Sequence, residues 1–234
     1  MIMSFFSLKR IIFFVLLLTI NVNSTKSNES NNVVVVAEIS LYKRLQLEKL
    51  GLNQQIFDEA LAGWNSLMKS EHIEKSNLLS IADMSQSSNA KRLYVIDMEN
   101  KKVLFNTYVA HGRNSGEEFA ASFANKNNSY KSSLGFYVTG NTYQGVHGTS
   151  MRLKGVEEGI NDIAEQRGIV MHGASYVSES FIQQHGRLGR SQGCPAVPES
   201  LCKPIVEIIK EGSCFFMFYP DNNYLKHSKF YGRV

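Results

Sequence analysis

The spacing of apolar positions changes repeatedly along this chain, and each change marks an element. The run Ile11–Ile20 is nearly all apolar, follows Lys9 and Arg10, and gives way to small polar residues through Ser24 and Thr25. That order is the pattern of a secretory signal over residues 1–24, with Val22-Asn23-Ser24 as a cleavage site; the run is short of the roughly 20 residues of a membrane span. Lys26 to Asn32 is rich in Ser and Asn and reads as a linker, with structure expected from about Val33. From Ser40 to Lys69 the positions Leu41, Leu45, Leu47 and Leu50, then Ile56, Ala60, Leu61, Trp64 and Leu67, follow helical spacing. Gly51-Leu-Asn53 interrupts it, so two helices are expected, the second capped by Asn53 and turning Trp64 and Leu67 toward the main domain.

Beyond Ser85–Asn89 the period shortens to two. Leu93 and Val95 face one way and Tyr94, Ile96 and Met98 the other, and Glu99–Lys102 turns the chain back into Val103–Ala110, a hairpin. Phe136–Thr139 is a short strand, Gly140–Ser150 a Gly- and Asn-rich loop, and Arg152–Lys154 a further strand. Ile169–Met171 is a buried strand that delivers His172. A helix is expected over Glu199–Lys210 with Pro204 in its first turn, then an apolar strand Cys214–Tyr219 and a solvated tail Asp221–Val234. The strands are not separated by regular helices as in βαβ units. The fold class is therefore mainly β with added helices (α+β). The divisions are a signal at 1–24, a linker and helical segment at 25–88, a main domain at 89–220 and a tail at 221–234.

With 234 residues, 43% of them hydrophobic, the chain can bury a substantial core, and only 4 prolines exclude collagen-like classes. Loss of the signal removes Lys9 and Arg10 from 25 basic residues set against 21 acidic ones, so the remainder is only faintly basic. With no long basic block, a nucleic-acid partner is not expected. No cysteine lies near the cleavage site, which argues against a lipid anchor, and a monomer without stable membrane insertion is expected. Three cysteines leave at least one unpaired in an exported chain.

Chemistry concentrates in Ile169-Val-Met-His-Gly173 and Gly186-Arg-Leu-Gly-Arg-Ser-Gln-Gly-Cys-Pro195. Thiolate attack on a carbonyl needs a base near the sulfur and backbone N–H groups facing the developing oxyanion. His172 at a strand end supplies the base, Cys194 the nucleophile, and Gly193 an uncovered backbone. The surroundings are expected to lower the Cys194 pKa. His111, His147 and His185 each sit beside a glycine, and His147 is the best placed to line a cleft; Ser175 and Tyr176, just past His172, are candidate substrate contacts. Cys202 and Cys214, on a helix and the strand after it, are core thiols or a disulfide. His172, His185, Cys194 and Cys202 are ligand types that zinc accepts, but no paired spacing is present, so neither metal nor cofactor is expected.

Taken together with Tyr108-Val-Ala-His-Gly-Arg-Asn-Ser-Gly116, Lys131-Ser-Ser-Leu-Gly-Phe136 and Gly159-Ile-Asn-Asp162, these segments resemble the secreted L,D-transpeptidase catalytic-domain proteins of the bacterial cell wall, from about Leu41 to Tyr219. The resemblance implies a β-sandwich or barrel-like catalytic domain and an exported protein of the periplasm or cell envelope. It also implies that Cys194 attacks the carbonyl joining the third residue of a peptidoglycan stem to a terminal D-amino acid. His172 would take the thiol proton, and N–H groups around Gly193 and Cys194 would hold the oxyanion. Gln192 stands where the family often has histidine, and Ala196 where it usually has arginine. Arg190 or Arg187 is the candidate replacement for that charge, and Ser191, Gly173, Tyr176 and His147 complete the expected substrate-binding set. The acceptor stays open between an amine and water. An L,D-carboxypeptidase, another peptidoglycan thiol hydrolase and a non-catalytic metal- or wall-binding module are the alternatives.

Overall fold

The structure is a computed structural model that describes residues 40–70, 72–75 and 77–232. The expected signal, the Lys26–Asn32 linker and the expected start of structure near Val33 all lie outside the described residues. Among these, no helix is long and apolar enough to cross a membrane.

The chain enters through α1 (Leu41–Arg44), a 3₁₀ turn (Leu47–Leu50) and α2 (Gln54–Lys69). Gly51 breaks the helical run with φ at +85°, a conformation that suits a residue without Cβ. Asn53 then caps α2 as expected, its side chain accepting from the Gln55 N–H at 2.8 Å. One face of α2 buries Ile56, Phe57, Ala60 and Leu67, while Trp64 is half-buried against the same core. Gly63 lets the Phe136 ring approach so closely that a Cβ there would lie 2.0 Å from it.

Eight strands form one sheet: β1 (Leu78–Asp83), β2 (Leu93–Asp97), β3 (Lys102–Thr107), β4 (Gly135–Gly145), β5 (Gly148–Gly155), β6 (Val170–Ala174), β7 (Ala196–Pro198) and β8 (Cys214–Phe218). Their order is β3-β2-β1-β8-β4-β5-β6-β7. Just past β3, the Ala110 N–H donates to Ala196 O of β7 at 2.8 Å, so the two edges meet and the sheet nearly closes into a barrel. Alternation on β2 and β8 splits the core. Tyr94, Ile96 and Phe216 meet α2, with the Phe136 and Phe216 rings stacked at 4.1 Å. Leu93, Val95, Phe215 and Met217 join Met151, Met171 and the inner face of α4 (Glu199–Ile209).

Four readings of the sequence are corrected here. Strand β1 lies within the stretch taken as helical segment and linker, yet it pairs with β2 and runs parallel to β8. All six of its residues are buried, so it carries no polar-apolar alternation to mark it. Gly140–Ser150 is not a loop but the outer half of the β4–β5 hairpin, whose polar residues stand beyond the core. Pro204 sits in the second turn of α4, not the first; it is exposed, and so is Ser200, whose carbonyl loses its partner and can turn to water. The supposed solvated tail forms α5 (Asn222–His227), buries Tyr224, and the Gly232 N–H donates to Glu59 Oε2 at 2.8 Å. Its aromatic residues, Tyr224, Phe230 and Tyr231, cover the α2 side of the core.

The matched segment around Asn161 also finds its reason in this architecture. The Asn161 side chain donates to Leu134 O and Phe136 O, both at 2.9 Å, and accepts from the Glu157 N–H. Glu157 in turn accepts from the Phe136 N–H at 2.7 Å. The start of β4 is therefore pinned by two buried polar side chains.

Candidate active site

Strand β6 carries His172 and pairs in parallel with β7, His172 opposite Ala196. Cys194 lies two positions before Ala196, so the short pairing brings thiol and imidazole to one cleft of about 510 Å³. His147, Tyr176, Arg190 and Ser191 also line it. Six of the expected site residues thus share this cleft, and Arg113, Asn128, Tyr130, Tyr143 and Arg167 line it besides.

His172 is buried, and its Nδ1 lies 2.9 Å from the Gly173 carbonyl oxygen. A carbonyl only accepts, so Nδ1 carries the proton and Nε2 keeps a lone pair. Burial pushes the imidazole pKa down, and the neighbouring His147, whose ring stacks on it at 4.6 Å, adds to this. His172 is accordingly neutral, with its free lone pair on Nε2. Gly173 serves through its carbonyl and through close packing, since a Cβ there would lie 3.1 Å from both Cys202 and Glu199 of α4.

Cys194 is half-buried, with Sγ 3.8 Å from Gly168 O. Burial pushes the thiol up, against the opposing pull of the Val170 N–H, Arg167 and its own N–H. This overturns the expectation of a lowered pKa: the resting sulfur is a thiol. The loop before it is held by Ser191, whose Oγ accepts the Gly193 N–H at 3.0 Å and donates to Cys194 O at 2.6 Å. Ser132, from the Lys131–Phe136 segment, donates to Gly193 O at 2.9 Å and accepts from the Gly112 N–H. The Gly193 N–H is therefore spent inside the loop rather than turned to a substrate. Glycine is needed there because φ is +125° and a Cβ would lie 2.8 Å from Lys131 O.

The expected charges are placed differently from one another. Arg190 Nη1 donates to Glu117 Oε1 at 2.6 Å and to Gly116 O and Arg113 O, while Arg187 Nε meets Glu117 Oε2 at 2.9 Å. Both brace the loop, and only Arg190 reaches the cleft wall. Tyr176 packs its ring where a Cβ on Gly189 would be, and its hydroxyl is pushed up to about 12 by burial and by Cys194. His185 is exposed and lies against Phe181 on α3 (Glu179–His185), away from the cleft lining. His111 is buried and accepts at Nδ1 from Arg92 at 2.8 Å. Cys194, Cys202 and Cys214 are all free, so the disulfide alternative is not formed. Among the described residues no group of three His, Cys, Asp or Glu side chains is placed to hold a metal ion.

Two cleft arginines escaped notice in the sequence. Arg113 follows the His111-Gly112 pair, and Arg167 directly precedes Gly168, which opens the strand of His172. Arg167 is anchored on Ala124 O, Lys131 O and the Ser129 and Ser133 hydroxyls. The signal for both was adjacency to a chemistry-bearing glycine turn.

Comparison with known proteins bears on this geometry. A family model described as an L,D-transpeptidase catalytic domain matches residues 48–218. No curated protein matches the chain. Among solved structures, an L,D-transpeptidase from Mycobacterium smegmatis is 11% identical, with 61% of this chain and 59% of that one covered and a TM-score of 0.39. The K307A mutant of the helical cell shape determining protein Pgp2 from Campylobacter jejuni is 14% identical, with 73% and 58% covered and a TM-score of 0.42. The chain thus spans less than two thirds of each of those proteins. The family match runs from the 3₁₀ turn to the last residue of β8 and takes in both His172 and Cys194, and the chain belongs to the L,D-transpeptidase catalytic-domain family.

Proposed function

We propose that this protein is an exported, cysteine-dependent L,D-transpeptidase acting on peptidoglycan stem peptides in a bacterial cell envelope. The observation that carries the reading is the cleft shared by Cys194 and an imidazole whose Nδ1 is locked to the Gly173 carbonyl. The thiol proton passes to His172 Nε2 as sulfur attacks the carbonyl joining the third stem residue to the terminal D-amino acid. The C–N bond then breaks, His172 returns the proton to the departing amine, and a thioester remains on Cys194. Hydrogen bonding from the Val170 and Cys194 N–H groups favours the thiolate as the proton leaves, and backbone N–H groups of this kind are what a developing oxyanion needs. An acceptor amine, or water, completes the cycle.

Incubation of the purified mature protein with tetrapeptide stems tests this by mass. A Cys194 adduct short of the terminal residue, and its loss in Cys194→Ala with the fold retained, are expected. Turnover by a well-folded Cys194→Ala protein would sink the mechanism. Product masses then separate transfer to an amine from hydrolysis.

A further inference from the structure

The cleft wall contains three arginines and, among its lining residues, no carboxylate. Their guanidinium groups are not equivalent. Arg190 is engaged by Glu117, a carboxylate it shares with Arg187, and by two backbone carbonyls, and Arg167 has both terminal nitrogens bonded to carbonyl and hydroxyl oxygens. Arg113 is exposed and, among the described residues, forms no ion pair; its guanidinium lies over the Tyr130 ring, 4.1 Å from the centroid. Stacking leaves the planar N–H edges of an arginine open to a carboxylate.

The backbone under this pair is held tightly. The Arg113 N–H donates to Ser191 O at 2.8 Å, within the loop that sets Cys194. Asn114 donates from its backbone N–H to Tyr130 O at 3.1 Å and from its side chain to Ser129 O at 2.9 Å. Tyr130 itself has φ at +53°, and Asn128 has +56°, in the left-handed region that a bulky residue seldom adopts unless its surroundings impose it. A fixed, unneutralised cation is thus tied through one hydrogen bond to the nucleophile loop.

Resting on the transpeptidase reading above, we infer that Arg113 is the specificity-determining residue that binds a free carboxylate of the donor stem, with Tyr130 as its platform. Charge-assisted bidentate pairing makes a carboxylate preferable to the isosteric, neutral carboxamide. The cleft therefore selects acidic donors over amidated ones.

The test compares tetrapeptide donors with all carboxylates free and with each converted in turn to the carboxamide. For the wild-type protein, one amidation should lower kcat/KM about ten- to a hundredfold, chiefly through KM. Arg113→Gln should lower kcat/KM on the acidic donor by a similar factor and bring the ratio between the two donors close to one. Arg113→Lys should recover part of the ratio. Iodoacetamide labelling of Cys194 at wild-type rate in Arg113→Gln reports that the nucleophile loop is intact. An Arg113→Gln protein that loses activity equally on every donor overturns the assignment, as does a wild-type protein indifferent to amidation. A wild-type protein that forms no acyl-enzyme with any donor overturns the transpeptidase reading and this assignment with it; turnover without discrimination overturns the assignment alone.

Discussion

At the scale of single residues, burial sets both groups of the proposed catalytic pair toward their uncharged forms. It lowers the His172 pKa and raises that of Cys194, so the resting pair is imidazole and thiol, and in the proposed mechanism the thiolate forms as the proton moves. The sign has a measurable consequence. A raised thiol pKa means less thiolate at neutral pH than in a free cysteine, with the reactive fraction rising only as pH passes a value above the ordinary 9.0. Iodoacetamide labelling of Cys194 should follow a pH curve whose midpoint lies there. Cys202, pushed up to about 11 by burial and itself a core residue, should label later still. A Cys194 midpoint below about 7 would instead reveal a preformed thiolate–imidazolium pair of the kind low-pKa cysteines make. Gly193 and Ser191 belong to the same scale: the one allows a backbone turn that no side chain permits, the other staples it.

At the scale of elements, the hairpin of β4 and β5 reaches from the core to the cleft, and its polar anchor decides where it begins. Asn161→Ala removes two bonds to the Leu134 and Phe136 carbonyls and the acceptor for the Glu157 N–H, all buried. A cost of about 2–4 kcal/mol is expected. That corresponds to a fall in Tm of roughly 5–15 °C for a domain of this size. Thermal unfolding checks it, and donor turnover per folded molecule should stay near normal because Asn161 lies outside the cleft wall. A loss below about 1 kcal/mol would show that the carbonyls find other donors. His147 rides on the turn of this hairpin, which is how an exposed residue comes to stack on a buried one.

For the whole molecule, the buried Arg92–His111 pair couples stability to pH. Arg92 is fully buried and donates to Val109 O and Gln86 O as well as to His111, whose pKa is held down to about 4 by burial and then by the Arg92 charge. The folded protein refuses a proton that the unfolded chain accepts near 6.5. Stability is thus fully present above pH 6.5, falls as pH drops through the window down to about 4, and flattens below it. The loss is about 1.4 kcal/mol per pH unit and about 3 kcal/mol in total. Urea unfolding of the wild type and of His111→Asn between about pH 7 and pH 4.5 should show a shallower slope in the variant. Equal slopes would mean that the folded imidazole takes up its proton after all.

What the sequence determined by itself was local. Helical spacing and the Asn53 cap located α2, period-two alternation located β2 and the turn after it β3, and the punctuation around His172 and Cys194 marked the candidate pair that shares the cleft, because each rests on residues a few positions apart. Tertiary structure alone decided the rest. Strand β1 has no alternation because both its faces are covered, and the supposed tail is ordered by a core made from distant segments. The split among the arginines follows the same logic: Arg190 is paired with Glu117, 73 residues earlier, while Arg113 is left open on Tyr130. Which charge meets a partner depends on which loops the sheet brings together, and that long-range pairing leaves no periodic trace along the chain.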